Sequence, residues 1–186
     1  MRRLSAFIQV SLDGFFTDAQ GDFRWAHKND PEFQAFVADN AQSGGELLFG
    51  RITYELMASY WPTPLARQQA PIVAERMNAM PKVVFSRTLE KATWNNTKLV
   101  KANLAAEVRQ MKQAPGPDLA ILGSGTIISQ LAQERLIDEF QIVVNPIILG
   151  TGRTPFEGAK ERLNLRLTKT RAFSNGNVLL CYEPTA

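Results

Sequence analysis

The chain has 186 residues, 45% hydrophobic and 21% charged, enough for one domain with a real core over residues 1–186 and unlike a disordered chain. Its net charge of +3 is scattered, with no Lys/Arg cluster and no interleaved aromatic ladder, so an anionic small molecule is expected rather than nucleic acid. One histidine, His27, and one cysteine, Cys181, exclude a His/Cys zinc site and an internal disulfide.

The N-terminal "MRRLSAFIQVSLDGFF" is broken by Ser5, Gln9, Ser11 and Asp13, without the small-residue cleavage site of a signal peptide. No apolar run reaches the length of a membrane span. A soluble, reduced, cytoplasmic protein with no membrane contact is expected.

In chain order, "LSAFIQVSL" (4–12) reads as a strand that stops at the Asp13-Gly14 turn signal, and 15–29 reads as a loop. Asp30-Pro31 is a helix start, and Phe33, Phe36 and Val37 share one helical face. "ELLFG" (46–50) is a short buried strand. "RITYELMASYW" is helical until "PTP" (62–64), and 65–80 is helical again. "KVVFS" (82–86) and "TKLVK" (97–101) are strands, with a helix near 103–113. "DLAIL" (118–122) is a strand, followed at once by Gly123-Ser124-Gly125 and a helix to about 135. "IDEFQIVVNPIIL" (137–149) is β-rich. Asn175-Gly176 then joins "LNLRLTKTRAF" to "NVLLCYE" as a hairpin. Strands alternating with helices imply a three-layer α/β/α sandwich with a mostly parallel mixed sheet and a C-terminal β-hairpin. Ligands of such sheets sit beyond the carboxyl ends of the strands.

Three strand ends carry polar chemistry. Gly50, Arg51 and Thr53 open a helix, whose free N–H groups suit an anion; a plain helix start is the alternative. Ser86, Arg87 and Thr88 suit a phosphomonoester; an exposed polar turn is the alternative. Gly123, Ser124, Gly125 and Thr126 can bring backbone N–H groups to an anion, or form a strand-to-helix turn. The last is not a Rossmann fingerprint, because Ile128 stands where the third glycine belongs. Nor is it G-x-S-x-G, because Leu122 and Thr126 hold the outer positions.

The ordered set "SLDG", "FGRITYE", "VVFSRTL", "ILGSGTIISQL…LIDEF", "NPIILGTGRTPF" and "NGNVLLCYE" resembles the dihydrofolate reductase-like superfamily. The similarity is to its bacterial branch related to the C-terminal reductase domain of riboflavin biosynthesis, and it covers essentially the whole chain. The resemblance implies NADP(H) as cofactor. Gly50, Arg51 and Thr53 would meet its diphosphate, together with Gly123, Ser124, Gly125 and Thr126. Ser86, Arg87 and Thr88 would hold the 2′-phosphate side. Ala6, Phe7 and the Ser11–Phe16 segment, with Asp13 and Gly14, would border the nicotinamide. The same family pattern implies a cis Gly123–Ser124 peptide.

On the substrate side the resemblance places Glu32, with Asp30 nearby, as the acid that supplies or orients a proton. The alternative is a helix cap and dipole partner. Trp25, Phe33, Phe36, Tyr54 and Trp61 would form an aromatic wall or belong to the core. Met80-Pro81 replaces the family arginine that grips a folate tail, and Arg153 and Arg171 are the candidates for a further phosphate. The implied function is an NADPH-dependent reductase of a small heterocyclic (pteridine- or pyrimidine-like) or carbonyl substrate. An NADP(H)-binding module or sensor without catalysis is the alternative. A homodimer is implied too, with "FQIVVNPIIL" as an interface strand or as core.

Overall fold

Period-two alternation gives the first strand two different faces. Strand β1 (Leu4–Ser11) buries Leu4, Ala6, Ile8 and Val10 on one side, while Phe7 and Gln9 on the other are half-buried. The computed structural model describes residues 1–26, 30–42 and 44–185; His27 lies outside them. The elements that follow are α1 (Pro31–Gln42), β2 (Glu46–Gly50), α2 (Arg51–Tyr60), α3 (Pro64–Gln69), α4 (Pro71–Ala79), β3 (Lys82–Phe85) and β4 (Thr97–Val100). Then come α5 (Leu104–Gln113), β5 (Leu119–Leu122), α6 (Gly125–Gln133), β6 (Glu139–Asn145), β7 (Leu165–Ala172) and β8 (Val178–Pro184).

The strands form one eight-stranded sheet in the order β4-β3-β2-β5-β1-β6-β8-β7. The first six in that order run parallel, and β8 and β7 are antiparallel. The sandwich expected from the sequence is therefore present. Helices α5 and α6 cover the face of Ala6, Ile8, Leu48, Val83 and Ile121. Helices α1, α2 and α4 cover the face of Leu47, Phe49 and Val84, where Tyr54, Met77 and Trp94 fill the core.

The connection from β1 crosses through α1 to β2, on one side of β5. The connection from β5 crosses through α6 to β6, on the other side of β1. These crossovers leave in opposite directions, so the crevice between β1 and β5 is a topological switch point, where open α/β sheets bind ligands. The pairing shows the split. β1 pairs with β5 only as far as Phe7↔Leu122, but with β6 as far as Ser11↔Asn145.

Some expectations need correction. The helix expected over 65–80 is two helices, because Pro71 has no N–H and excludes helical backbone at Ala70, which sits at φ −146 and ψ 67. The run "FQIVVNPIIL" contributes β6, which is paired on both edges by β1 and β8 and so offers no free strand edge. The 15–29 loop contains a 3₁₀ turn, Arg24–Ala26. The Asn175-Gly176 hairpin forms as read: Gly176 takes φ 86, and Phe173 and Asn177 bond across the turn.

Candidate functional site

The junction between β5 and α6 turns within two residues. Gly123 and Ser124 both adopt left-handed backbone, each at φ 58. That conformation costs glycine little and a residue with Cβ about 1–2 kcal/mol. Ser124 spends its side chain on the end of a neighbouring strand. Its Oγ accepts the backbone N–H of Gly50 at 2.9 Å. The bond ties the end of β2 to the end of β5, so the N-termini of α2 and α6 meet in one place. Ile127 and Ile128 donate to the Ser124 carbonyl, which leaves the first-turn N–H groups of Gly125 and Thr126 without an acceptor inside the helix. Thr53 lies against Gly123, with its Cγ2 3.5 Å from where a Cβ would stand.

A cleft runs over this junction. It is lined on the anion side by Gly50, Arg51, Thr53 and residues 123–126, and farther out by Ser86 and Arg87. Arg51 pairs with Glu55 at 3.0 Å, both half in solvent, a pair weak enough for an anion to replace. Ser86 Oγ accepts the N–H groups of Thr88 and Leu89 and so shapes the turn after β3. Thr88 is exposed and does not line the cleft. Arg87 is exposed and forms no hydrogen bond or ion pair among the described residues. Two helix N-termini, uncapped backbone N–H groups, one replaceable arginine and one unpaired arginine together fit a dinucleotide with a diphosphate and a separate phosphate.

Gly125 needs a different explanation from Gly123. Its φ is not left-handed, but a Cβ there would meet the Phe16 ring at 2.7 Å. The loop after β1 thus lays Phe16 directly on the start of α6. No cis peptide occurs among the described residues, so the expected cis Gly123–Ser124 bond is corrected to a trans bond with consecutive left-handed residues.

Other expected cofactor residues are placed differently. Ala6 is 1% exposed and its side chain belongs to the α5/α6 core. Asp13 does not line the cleft. Its carboxylate accepts the N–H groups of Leu149 and Gly150 at 3.1 and 2.7 Å, clamping that loop. Its pKa is lowered by the Ser11 hydrogen bond first and by these N–H groups next. Gly14 takes φ 88 in the turn after β1. Phe7 lines the cleft at the β1–β5 split, and its carbonyl accepts the N–H of Gly123.

For the two expected acids, the alternative of a helix cap and a structural partner matches their hydrogen bonds. Asp30 is the N-cap of α1: its carboxylate accepts from the Phe33 N–H at 2.7 Å and from Ser174 Oγ at 2.9 Å. Glu32 faces the β7–β8 hairpin, accepting from the Ser174 N–H and from Arg171, each at 3.0 Å. The Ser174 N–H, then Arg171, hold the Glu32 carboxyl below the usual range. Arg171 does not line the cleft; it bridges to Glu32 and stacks 4.7 Å from the Phe173 ring. Arg153 does line the cleft, 5.8 Å from the Phe16 ring.

Of the aromatic wall, Phe33 and Trp61 line the cleft. Phe36 packs between Phe173 at 5.3 Å and Phe33 at 6.0 Å. Trp25 gives its indole N–H to the Asp22 carbonyl within its own loop. Tyr54 is core: it is 2% exposed, and its hydroxyl accepts the N–H groups of Thr93 and Trp94. Gln9 and Asn145 are not among the expected site residues. Gln9 lines the cleft two residues past Phe7, and Asn145 is wholly buried behind it. The available signal was a polar residue on each of two neighbouring apolar strands.

Comparison with known proteins agrees with this architecture. A relative from Bacillus subtilis (strain 168), the uncharacterized protein YyaP, is 30% identical over 182 residues, covering 98% of this chain and 95% of its own. A protein from Shewanella sp. PV-4 named for riboflavin biosynthesis superposes with a TM-score of 0.75 at 24% identity, over 100% of both chains. A diaminohydroxyphosphoribosylaminopyrimidine deaminase/5-amino-6-(5-phosphoribosylamino)uracil reductase from Thermotoga maritima superposes with a TM-score of 0.71 at 15% identity. That superposition takes in 99% of this chain and 57% of the larger protein, and at such identities it speaks for the fold alone. The model of the RibD C-terminal domain family matches residues 2–179, and the chain belongs to that family.

Proposed function

We propose that the protein is an NADPH-dependent reductase of a small heterocyclic or carbonyl substrate. The observation that carries this reading is the Gly50–Ser124 bond, which brings two helix N-termini together beside the sheet's switch point. When bound, NADPH supplies a hydride to the carbon of a C=N or C=O bond, whose heteroatom takes a proton from solvent. The residues of the chain bind and orient. The α6 N-terminus, Arg51 and Thr53 would receive the diphosphate, Arg87 the 2′-phosphate, and Phe7 and Phe16 would flank the nicotinamide. The test is titration of the purified chain with NADPH, read by quenching of its own fluorescence and by thermal shift. Absence of both effects would reject the reading.

A second reading, an NADP(H)-binding module without catalysis, is favoured by one observation: both acids expected to supply a proton are tied to Ser174 and Arg171. Oxidation of NADPH by any member of a panel of carbonyl and heterocyclic compounds would dismiss it. A homodimer is supported by β7, an edge strand exposed along its whole length with Leu165 and Leu167 open to solvent. Light scattering at the mass of one chain would reject that assembly.

A further inference from the structure

The side of the cleft that faces α1 holds an oriented amide. On β1, Phe7 and Gln9 point to the same face by alternation, and the Phe7 ring packs 6.4 Å from Phe36 of α1. Gln9 lies beyond the point where β1 parts from β5, so its side chain stands at the open crevice.

Behind it, Asn145 closes β6 and is 0% exposed. Its Nδ2 faces the carbonyls of Val10 at 3.2 Å and Val143 at 3.3 Å, and Gln9 Oε1 at 3.4 Å. The two backbone carbonyls fix which way this amide points, because a reversed Asn145 would set oxygen against oxygen. Gln9 turns its own oxygen inward, where it shares the two N–H bonds of Asn145 with these carbonyls. Its Nε2, a pure donor with two N–H bonds, forms no hydrogen bond among the described residues and is left for the cleft.

The carboxylates that line the cleft stand elsewhere. Asp118 and Glu139 lie at the amino ends of β5 and β6, and Glu134 follows the last turn of α6. Glu139 is four residues before Val143, the partner of Gln9, or about 13 Å along the strand. Asp30 and Glu32 are held by the hairpin. A cationic, donor-rich substrate edge would meet a donor at Gln9 and no counter-charge.

We propose that Gln9 selects the substrate: its N–H₂, aimed by Asn145, donates to a carbonyl oxygen of an uncharged heterocycle. This rests on the cleft being the reductase site, and it narrows the substrate to one whose recognised edge accepts hydrogen bonds. Gln9 touches the substrate, and Asn145 is a positioning residue.

The probes are two pteridines of similar shape and opposite edges: lumazine, with two carbonyls, and 2,4-diaminopteridine, with two amino donors. Their dissociation constants are measured by calorimetry on the full chain, with and without NADP⁺. The variants are Gln9→Leu, which keeps size and loses the amide, and Gln9→Glu, which replaces the donor with a carboxylate. The wild type is expected to prefer lumazine by about tenfold, the worth of one hydrogen bond on a buried edge. Gln9→Leu should lose that preference, and Gln9→Glu should reverse it. Equal lumazine affinity in the wild type and Gln9→Leu overturns the proposal, as does a wild type that prefers the diamino compound or binds neither. NADP⁺ affinity is read separately. If NADP⁺ does not bind but the lumazine order holds, the reductase reading fails and the role of Gln9 stands.

Discussion

The backbone N–H of Gly50 donates to Ser124 Oγ across 2.9 Å, and this bond joins two helix N-termini that are more than seventy residues apart in the chain. Ser124 reaches it only from a left-handed backbone, at φ 58 and ψ 63. The two energies oppose each other. Ser124→Ala keeps the strained backbone and leaves the Gly50 N–H unpaired, a loss of about 1 kcal/mol or more. Ser124→Gly loses the same bond but recovers about 1–2 kcal/mol of left-handed strain. In urea unfolding the alanine variant should fall well below the wild type and the glycine variant should stay near it. Both should bind NADPH more weakly, because α2 and α6 are no longer tied.

Phe16 sits where a side chain on Gly125 would be. Gly125→Ala should destabilise by about 1–3 kcal/mol, since a ring at 2.7 Å must be displaced. Truncating the ring in a Phe16→Ala, Gly125→Ala double variant should relieve much of that cost. A double variant no more stable than the sum of the single losses would show that Gly125 answers to something other than Phe16.

Arg87 is the unpaired cation at the end of β3. Arg87→Ala should weaken NADPH by about tenfold or more, the worth of a charge-assisted hydrogen bond, and leave NADH almost unchanged. The NADPH loss should shrink at high salt. Equal loss for the two dinucleotides would remove Arg87 from the 2′-phosphate.

Glu32 links α1 to the β7–β8 hairpin through the Ser174 N–H and Arg171. Its carboxyl is held below the ordinary carboxylate value, so its contribution is complete above that ordinary value and fades as pH falls through the lower folded value. Glu32→Gln should therefore lower the thermal midpoint slightly at neutral pH. The gap to the wild type should close in acid. A constant gap down to pH 2 would contradict the ionised role.

Lys82 is buried at the start of β3 with no acidic partner among the described residues. Its Nζ donates to the carbonyls of Met80 at 2.6 Å, Asn95 at 3.1 Å and Asn78 at 3.3 Å, and sits 4.5 Å from the Trp94 ring. Burial pushes its pKa down to about 8. The folded value lies below the unfolded one, so the charge opposes folding below pH 8, and stability from this group rises towards the ordinary lysine range. Lys82→Met should abolish that alkaline rise. It should also cost about 1–3 kcal/mol near neutrality, because the Met80 and Asn78 carbonyls lose this donor and the Asn95 carbonyl keeps only Thr97 Oγ1 at 3.4 Å. A Lys82→Met variant whose urea midpoint changes with pH as the wild type's does would argue against the assignment.

Much of this molecule was legible in one dimension. Strand and helix order followed from periodicity and turn residues, because those signals are local: Asp30-Pro31 starts α1, and Asn175-Gly176 turns the hairpin. The three polar strand ends were also visible, since Gly50, Ser86 and Gly123 follow short apolar runs. Pro71 was in plain view too, yet the 65–80 run read as one helix, because its apolar spacing continues across the break.

The doubly wound architecture and the polar strand ends are written in local signals along the chain. Which side chains are free at those ends depends on partners that folding brings near. Ser124 is spent on Gly50, Asp30 and Glu32 on Ser174 and Arg171, and Tyr54 on Thr93 and Trp94, all partners distant in the chain. Gln9, an ordinary polar residue on a strand, is turned outward by an asparagine 136 positions later. A hydrogen bond has no local signature when its two ends are brought together only by the sheet, so residue type marks what a group can do and packing decides whether it is available.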